Sequence, residues 1–426
     1  MIAQGMLQER PVIPVQAYRD VKPPKVRFQL VTKQAELFAS AAAWHELNTA
    51  SASPEAMLDP AWLLQWWRHY GVGIELAVGM LYAGDELVGL APLCIRAYRY
   101  RPGLVFRRLQ FMGIDANESD GVCSEYMNFI ARAGYEEIVA RTFVDRMAEG
   151  QFGRWHEAVF ATMKGCHPMT ALIERRLAHH GIACTRRIAT SAYAIALPAT
   201  WDDYLKSLTV KRRYAIKSAL EKFKAWAGDK DWRLEHATSQ SSLMTALDNL
   251  MSLHGERWSE EGKDGAFSSP RFTAFHRDYA TEMFKSGGVD IAALVVGGEP
   301  IAAIYSIRQG SKVMTYQNGR IMGLPPRVRV GIVINALLVQ EAIARGDSEY
   351  DFMAGEYRYK IEFATETRQI VELRAVRPNV REYVRLGLIQ VRDTVTKAIK
   401  AIRPAAPPAP VGAPAGEAAA EQGESA

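Results

Sequence analysis

The chain has 426 residues, 48% of them hydrophobic, 10% aromatic and 23% charged, with a formal net charge of +5. These proportions fit a globular protein with a sizeable core and room for two or three domains. The small positive charge suits an anionic small ligand and is too weak to argue for DNA binding. Cys94, Cys123, Cys166 and Cys184 are dispersed, with no C-x-x-C pair and no adjacent His cluster. That spacing argues against a zinc site or a disulfide framework, so no metal is expected.

Residues 1–25 are aperiodic and punctuated by proline, and read as a flexible arm without the apolar run of a signal peptide. No uninterrupted apolar stretch of about 18 residues follows, so no integral membrane segment and a cytoplasmic location are expected. Val26–Val31 reads as a strand and Lys33–Leu47 as a helix. Asp59-Pro60-Ala61-Trp62 opens another helix with an N-cap and a proline at its first position. Ile74–Tyr82 and Leu87–Arg96 form a hairpin about a Gly84-Asp85 turn. A strand at Val105–Met112, a helix at Tyr135–Ala148 and a strand at Trp155–Ala161 complete the first half.

The second half repeats this order. Trp232–Ala237 reads as a strand, Ser241–Trp258 as a helix, and Ser269-Pro270-Arg271-Phe272 opens the next helix. Val289–Val296 and Pro300–Arg308 form a hairpin about Gly297-Gly298. Lys312–Asn318, Gly331–Ala344 and Tyr350–Met353 read as strand, helix and strand. The segment GDELVGLA (84–91) aligns without gaps to GGEPIAAI (297–304). The expected fold is therefore α+β, with tandem domains at 26–189 and 190–379, each a mixed, mainly antiparallel sheet flanked by helices. Residues 380–403 read as a basic amphipathic helix that docks on its own domain or makes peripheral contact with an anionic membrane. Residues 404–426 read as a disordered Pro/Ala-rich tail.

Several ordered segments of the second half carry a family resemblance: LPATWDDYL (197–205) leading into Lys211-Arg212-Arg213, LHGERW (253–258) before Gly265-Ala266-Phe267, PIAA (300–303), YQNG (316–319) and DFMAGE (351–356) before Tyr359-Lys360. Together they resemble the GNAT-superfamily acetyltransferase domain of the CelD/BcsL group, associated with cellulose and exopolysaccharide biosynthesis. The double layout also resembles the Fem-type aminoacyltransferases. The resemblance implies two GNAT-like domains and an N-acyltransferase that moves an acyl group, in the first place acetyl, from acyl-CoA to an amine on a small molecule, saccharide or peptide. The usual GNAT phosphate loop, R/Q-x-x-G-x-G/A, is degenerate here. That departure keeps two alternatives open, a Fem-like aminoacyltransferase and a non-catalytic accessory protein of a polysaccharide synthase.

The chemistry then assigns candidates. The CoA pyrophosphate needs free N–H groups at a helix start, which places it on Arg327, Arg329, Val330 and Gly331. The pantetheine arm would lie along the strand of Tyr316 and Asn318, one of whose amides would face the thioester oxygen. The amine needs a base, for which Asp351, Glu356 and His254 are candidates. Asp351 could equally be a structural carboxylate, and His254 lies on the apolar stripe of its helix. Tyr357 or Tyr359 would protonate the leaving thiolate. Arg212, Arg213, Trp258 and Lys360 are assigned to the acceptor. Asn117, Glu118, Ser119, Asp120 and Tyr126 of the first half are expected to wall its cleft.

Overall fold

A computed structural model describes residues 25–100, 103–115, 120–260, 262 and 264–402. The expected arm (all but Lys25), the tail, and Asn117, Glu118 and Ser119 lie outside the described residues. The first half comprises β1 (Arg27–Val31), α1 (Gln34–Ala39), α2 (Ala41–Thr49), α3 (Pro60–Tyr70), β2 (Glu75–Leu76), β3 (Val78–Ala83), β4 (Glu86–Ala91), β5 (Leu93–Tyr100), β6 (Leu104–Phe111), β7 (Ile130–Ala131), α4 (Glu136–Ala148), β8 (Glu157–Lys164), α5 (Pro168–His179) and β9 (Ala183–Ala196). The second comprises α6 (Trp201–Ser207), α7 (Val210–Ala227), β10 (Trp232–His236), α8 (Gln240–Glu260), α9 (Pro270–Phe284), β11 (Val289–Val296), β12 (Glu299–Gln309), β13 (Lys312–Arg320), α10 (Val330–Ala344), β14 (Glu349–Ala354), α11 (Arg358–Phe363) and β15 (Glu366–Val376). The described residues up to Arg377 form one compact unit. Those from Pro378 form a second, whose helix α12 (Val380–Ile402) is opened by the Asn379 side chain accepting the Glu382 N–H at 3.0 Å. Among the described residues no helix is long and apolar enough to cross a membrane.

In the first half the two hairpin strands expected as single runs are each divided. At Pro92 the missing N–H interrupts the ladder, and the chain passes from β4 in a four-stranded sheet (β1-β3-β4-β7) to β5 in an eleven-stranded one. The partner strand divides at Ala77, between β2 of the large sheet and β3 of the small one, with the Ala77 N–H bonding Leu93 O at 3.1 Å. The expected Lys33–Leu47 helix is likewise two, with Ser40 between them.

The large sheet runs β10-β11-β12-β13-β14-β9-β15-β8-β6-β5-β2. Each half contains one parallel pair joined by a helical crossover: β6 with β8 across α4, and β13 with β14 across α10. The halves then exchange their last strands. β9 pairs with β14 of the second half, β15 pairs with β8 of the first, and β9 and β15 pair with each other from Glu366↔Ala194 to Val376↔Ala183. These two strands were not expected from the sequence, and the boundary set at 189/190 falls inside β9. The result is the tandem arrangement of two mixed, mainly antiparallel sheets flanked by helices, fused into one sheet.

The repeat-related helices α3 and α9, both opened by proline, meet where the halves join. Trp62 lies edge-on to Phe275 and to Tyr279, each at 4.8 Å between ring centres. Helices α8 and α9 cover one face of the second half's strands through Leu243, Leu247, Leu250 and Phe272. A separate apolar cluster of α7 and α10, with Ile216, Phe223, Val333 and Val339, covers the other. Helix α8 approaches β13 closely enough that only glycine fits at 319: an added Cβ would lie 2.6 Å from the His254 nitrogen and 2.9 Å from Leu250 O. Both are backbone atoms, so Gly319→Ala must separate helix from strand. We expect it to destabilise the protein by about 1–3 kcal/mol, read as a lower denaturant midpoint with an unchanged slope.

Candidate active site

Strands β13 and β14 pair over three residues only, Lys312↔Glu349, Val313↔Tyr350 and Met314↔Asp351, and then diverge. The divergence has a local cause. Met353 adopts a left-handed backbone (φ 62°), the register against β9 slips between Asp351 and Ala354, and the Asp351 carboxylate accepts the Met353 N–H at 2.7 Å. A cleft of about 390 Å³ opens between the strands. Its walls are Thr315–Asn318 on one side, Phe352–Ala354 with Tyr357, Tyr359 and Lys360 on the other, and His254 and Trp258 from α8. Cys123 and Glu125 of the first half reach into it as well.

Beneath the cleft lies a buried ionic knot of three carboxylates and three cations. Lys312 meets Glu55 at 3.1 Å, Asp351 at 3.4 Å and Glu349 at 3.5 Å. Lys164 also pairs with Glu55, and Arg368 binds both oxygens of Glu349 while lying 3.8 Å from Asp351. Tyr126 donates its hydroxyl to Asp351 at 2.8 Å, and the ammonium groups of Lys164 and Lys312 lie 4.3 and 4.6 Å from its ring centre. Burial would raise the Glu55 pKa, but Lys312 and Lys164 hold it below the usual carboxylate range. Burial likewise opposes ionisation of Glu349, and the hydrogen bonds from Arg368 and the charge of Lys312 bring it to about 2.

Asp351, weighed as a base or a structural carboxylate, is fully buried and accepts from the Tyr126 hydroxyl and the Met353 N–H, which favours the structural role. His254 is also reassigned. Its Nε2 lies 2.9 Å from the Trp258 indole N–H, a group that can only donate, so the neutral ring carries its proton on Nδ1 and Nε2 is already occupied. Burial and the Arg257 charge, opposed by Gln317, lower its pKa to about 4. Glu356 is exposed in the turn after β14 and does not line the cleft.

The other expected residues divide between the cleft and its surroundings. Trp258, Tyr316, Asn318, Tyr357, Tyr359 and Lys360 all line it. The Tyr316 hydroxyl donates to Val122 O at 2.5 Å and so tethers the first-half segment that enters the cleft. Asn318 accepts from Arg257 at 3.1 Å, and burial pushes the Tyr359 hydroxyl up to about 12. Arg212, expected to meet the acceptor, instead donates to the carbonyls of Glu362 and Ala364, and Arg213 to Leu208 O at 3.3 Å; both secure the chain around α6 and α11. Arg327, Arg329, Val330 and Gly331 sit at the start of α10, outside the cleft lining, with Arg327 exposed and Arg329 paired with Glu362 at 2.8 Å. Of the first-half residues, Tyr126 is buried against Asp351 and does not line the cleft, and Asp120 binds the Ser269 hydroxyl at the head of α9.

Sequence reasoning missed Glu125, Lys312 and Glu55. Glu125 accepts the Ala354 N–H at 2.9 and 3.0 Å, immediately past the bend in β14. Burial raises its pKa to about 7, although Lys360 and that amide act against the shift. Burial also lowers Lys360, whose ammonium donates to the carbonyls of Met353 and Ala354, to about 8. The available signal was the run of polar residues 115–126 in a chain otherwise ordered as strand and helix.

Comparison with known proteins bears on the fold. Residues 210–361 match the model of an acetyltransferase (GNAT) domain. The structure is similar to that of FemX, at 10% sequence identity over 82% of this chain and 97% of that one, with a TM-score of 0.55. The fold is of the GNAT acetyltransferase type. A tandem GNAT protein from the clavulanic acid biosynthesis pathway aligns over 83% of this chain and all of its own, with 10% identity and a TM-score of 0.43. A conserved protein from Bacteroides thetaiotaomicron aligns over 82% of this chain and all of its own, with 13% identity and a TM-score of 0.47. No curated protein sequence matches the chain. The GNAT model's description names neither the CelD/BcsL group nor a role in exopolysaccharide synthesis.

Lys312 is the cation on which three of these carboxylates converge. Replacing it by methionine leaves Glu55 and Asp351 buried with fewer counter-charges, and we expect a loss of about 3–5 kcal/mol in a denaturant titration.

Proposed function

We propose that this protein is an acyl-CoA-dependent N-acyltransferase working in the second half's cleft, with the first half completing its wall. The observation that carries this reading is the separation of β13 from β14 in a GNAT-type domain, which leaves unpaired strand edges around a polar cleft. Such an edge can take up an extended amide-bearing chain by main-chain hydrogen bonds, as the pantetheine arm of CoA requires. Tyr316 and Asn318 belong to that edge. The pyrophosphate falls to the start of α10, where the Arg329 N-cap makes no side-chain capping bond and leaves the Val330 and Gly331 amides of a fifteen-residue helix without a side-chain cap. Arg327 is placed to pair with the phosphates and Val330 and Gly331 to offer their amides. The Cβ position of Gly331 has 3.8 Å of clearance from the Arg320 side chain, so that backbone can be approached closely.

When bound, acyl-CoA supplies the activated acyl carbon. The chain's own residues orient the partners and move protons. Tyr359 keeps its proton at neutral pH and, with Asn318 beside it, is suited to donate toward a departing thiolate. Trp258 and the exposed ring of Tyr357 offer flat surfaces for a sugar or peptide carrying the amine. We assign the acceptor to saccharide or peptide amines of envelope polymers, in line with the sequence resemblance, and the reaction to the cytoplasm, where acyl-CoA is made.

Calorimetry with acetyl-CoA tests this reading. Micromolar binding is expected, weakened about tenfold or more by Arg327→Ala/Arg329→Ala. Bound acetyl-CoA should also slow alkylation of Cys123, an exposed thiol of the cleft, relative to Cys166, as read by peptide mass spectrometry. Absence of binding by the folded protein, or Cys123 labelling indifferent to acetyl-CoA, would overturn the assignment.

A further inference from the structure

The two halves treat their parallel strand pairs differently. In the first half β6 and β8 also pair over three residues, Arg108↔Glu157 to Gln110↔Val159, and β8 then bends at Thr162 with a left-handed backbone (φ 56°), as β14 does at Met353. Here the space beyond the bend is filled by the chain itself. Met127 N–H bonds to Thr162 O at 3.2 Å, and the Phe129 ring packs 6.1 Å from Phe111 of β6 and 5.6 Å from Phe160 of β8. A hollow of only about 30 Å³ lies beside this segment, next to Tyr126, Phe129 and Lys164.

The segment that fills the first cleft is the one that enters the second. Its path is fixed at several points: Ser124 accepts the Trp62 indole N–H at 2.8 Å, Tyr316 holds Val122 O, and Tyr126 is bound to Asp351. Cys123 and Tyr126 both have left-handed backbones (φ 45° and 61°), and the turns they make aim the intervening Glu125 across the junction. Its carboxylate rests on the Ala354 amide and remains accessible from the cleft.

We propose that the first half does not bind acyl-CoA itself and that its plugging segment supplies the proton acceptor, Glu125, for the amine in the second half's site. This inference rests on the acyltransferase reading. An acceptor arriving as an ammonium gives one proton to the Glu125 carboxylate. The nitrogen lone pair then forms a C–N bond to the thioester carbonyl carbon, and the C–S bond breaks as the tetrahedral adduct collapses. A second proton, lost from nitrogen, ends on the CoA thiolate, and Glu125 returns its proton to solvent. The groups that set its titration are Lys360, the Ala354 amide, Asp351 and Lys312. Burial holds the carboxyl near 7, so the active, deprotonated form accumulates as pH rises through neutrality and turnover should rise with it.

The test compares wild type with Glu125→Gln, whose amide oxygen can still accept the Ala354 N–H while lacking basicity. Thiol release from acetyl-CoA is followed with glucosamine, spermidine and glycinamide as amine probes. Expected are unchanged acetyl-CoA binding, a turnover about 10²–10³-fold lower and loss of the ascending limb near pH 7, with partial recovery in Glu125→Asp. A second measurement needs no turnover: in protein labelled with [5-¹³C]glutamate, the resonance missing from Glu125→Gln should titrate near neutrality. Glu125→Gln turning over at the wild-type rate with the same pH limb, or a resonance titrating below about 5, would overturn the proposal while leaving the acyltransferase reading intact. Failure of wild type to bind acetyl-CoA would remove both.

Discussion

The Lys312 ammonium is the charge around which the second half is organised. It stands at the first residue of β13, at the start of the three-residue parallel pairing, and draws together a carboxylate from the first half (Glu55) and two from β14 (Glu349 and Asp351). Burying this many charges is tolerable only because they cancel and are hydrogen-bonded to one another. The same carboxylate that faces Lys312 holds the Met353 amide and so maintains the bend that separates β14 from β13. The opening of the cleft is thus a product of the charge balance beneath it. The chain does not need a proline or glycine at residue 353 to make the strand turn away.

The two halves have diverged by what occupies equivalent space. Both keep the parallel pair, the crossover helix and the bend in the following strand. In one, aromatic side chains fill the gap, with Phe111, Phe129, Phe143 and Phe160 forming a contiguous cluster. In the other, the gap is lined by hydroxyls, amides and titratable groups of shifted pKa, among them Glu125 and Lys360. Close-packed apolar rings leave the first half little open space at this position, whereas the second half keeps a polar cleft there.

Much of the fold was legible because strong periodicity and turn chemistry coincide. The Gly84-Asp85 and Gly297-Gly298 turns and the proline-opened helices at Pro60 and Pro270 fall where the sequence pattern puts them. Strands β9 and β15 were not legible, because they pair chiefly with each other across the two halves, and because the first part of β9, with Arg186 and Arg187 exposed, lacks the alternation of a half-buried strand. At the site, residues local to the second half's cleft, from Tyr316 to Lys360, were recoverable from motif order. Glu125 was not, because its role comes from a three-dimensional meeting of segments more than 200 residues apart, marked in the sequence by nothing beyond a polar loop. The opposite error arose for Arg212 and Arg213: a basic helix start looks like an anion site, yet their guanidinium groups serve carbonyls of their own domain.

The exchange of β9 and β15 also governs the order in which this chain can reach its native state. The first half cannot complete its sheet from its own residues, since the strand beside β8 is β15, among the last elements of the compact unit to leave the ribosome. Until then β8 offers an open edge, of the kind that invites pairing with a foreign strand. Non-local pairings of this length carry a large loop-closure entropy, which slows folding and couples the halves into one cooperative event. Fused in this way, the two copies can no longer be inherited, lost or shuffled separately: each is the other's missing edge.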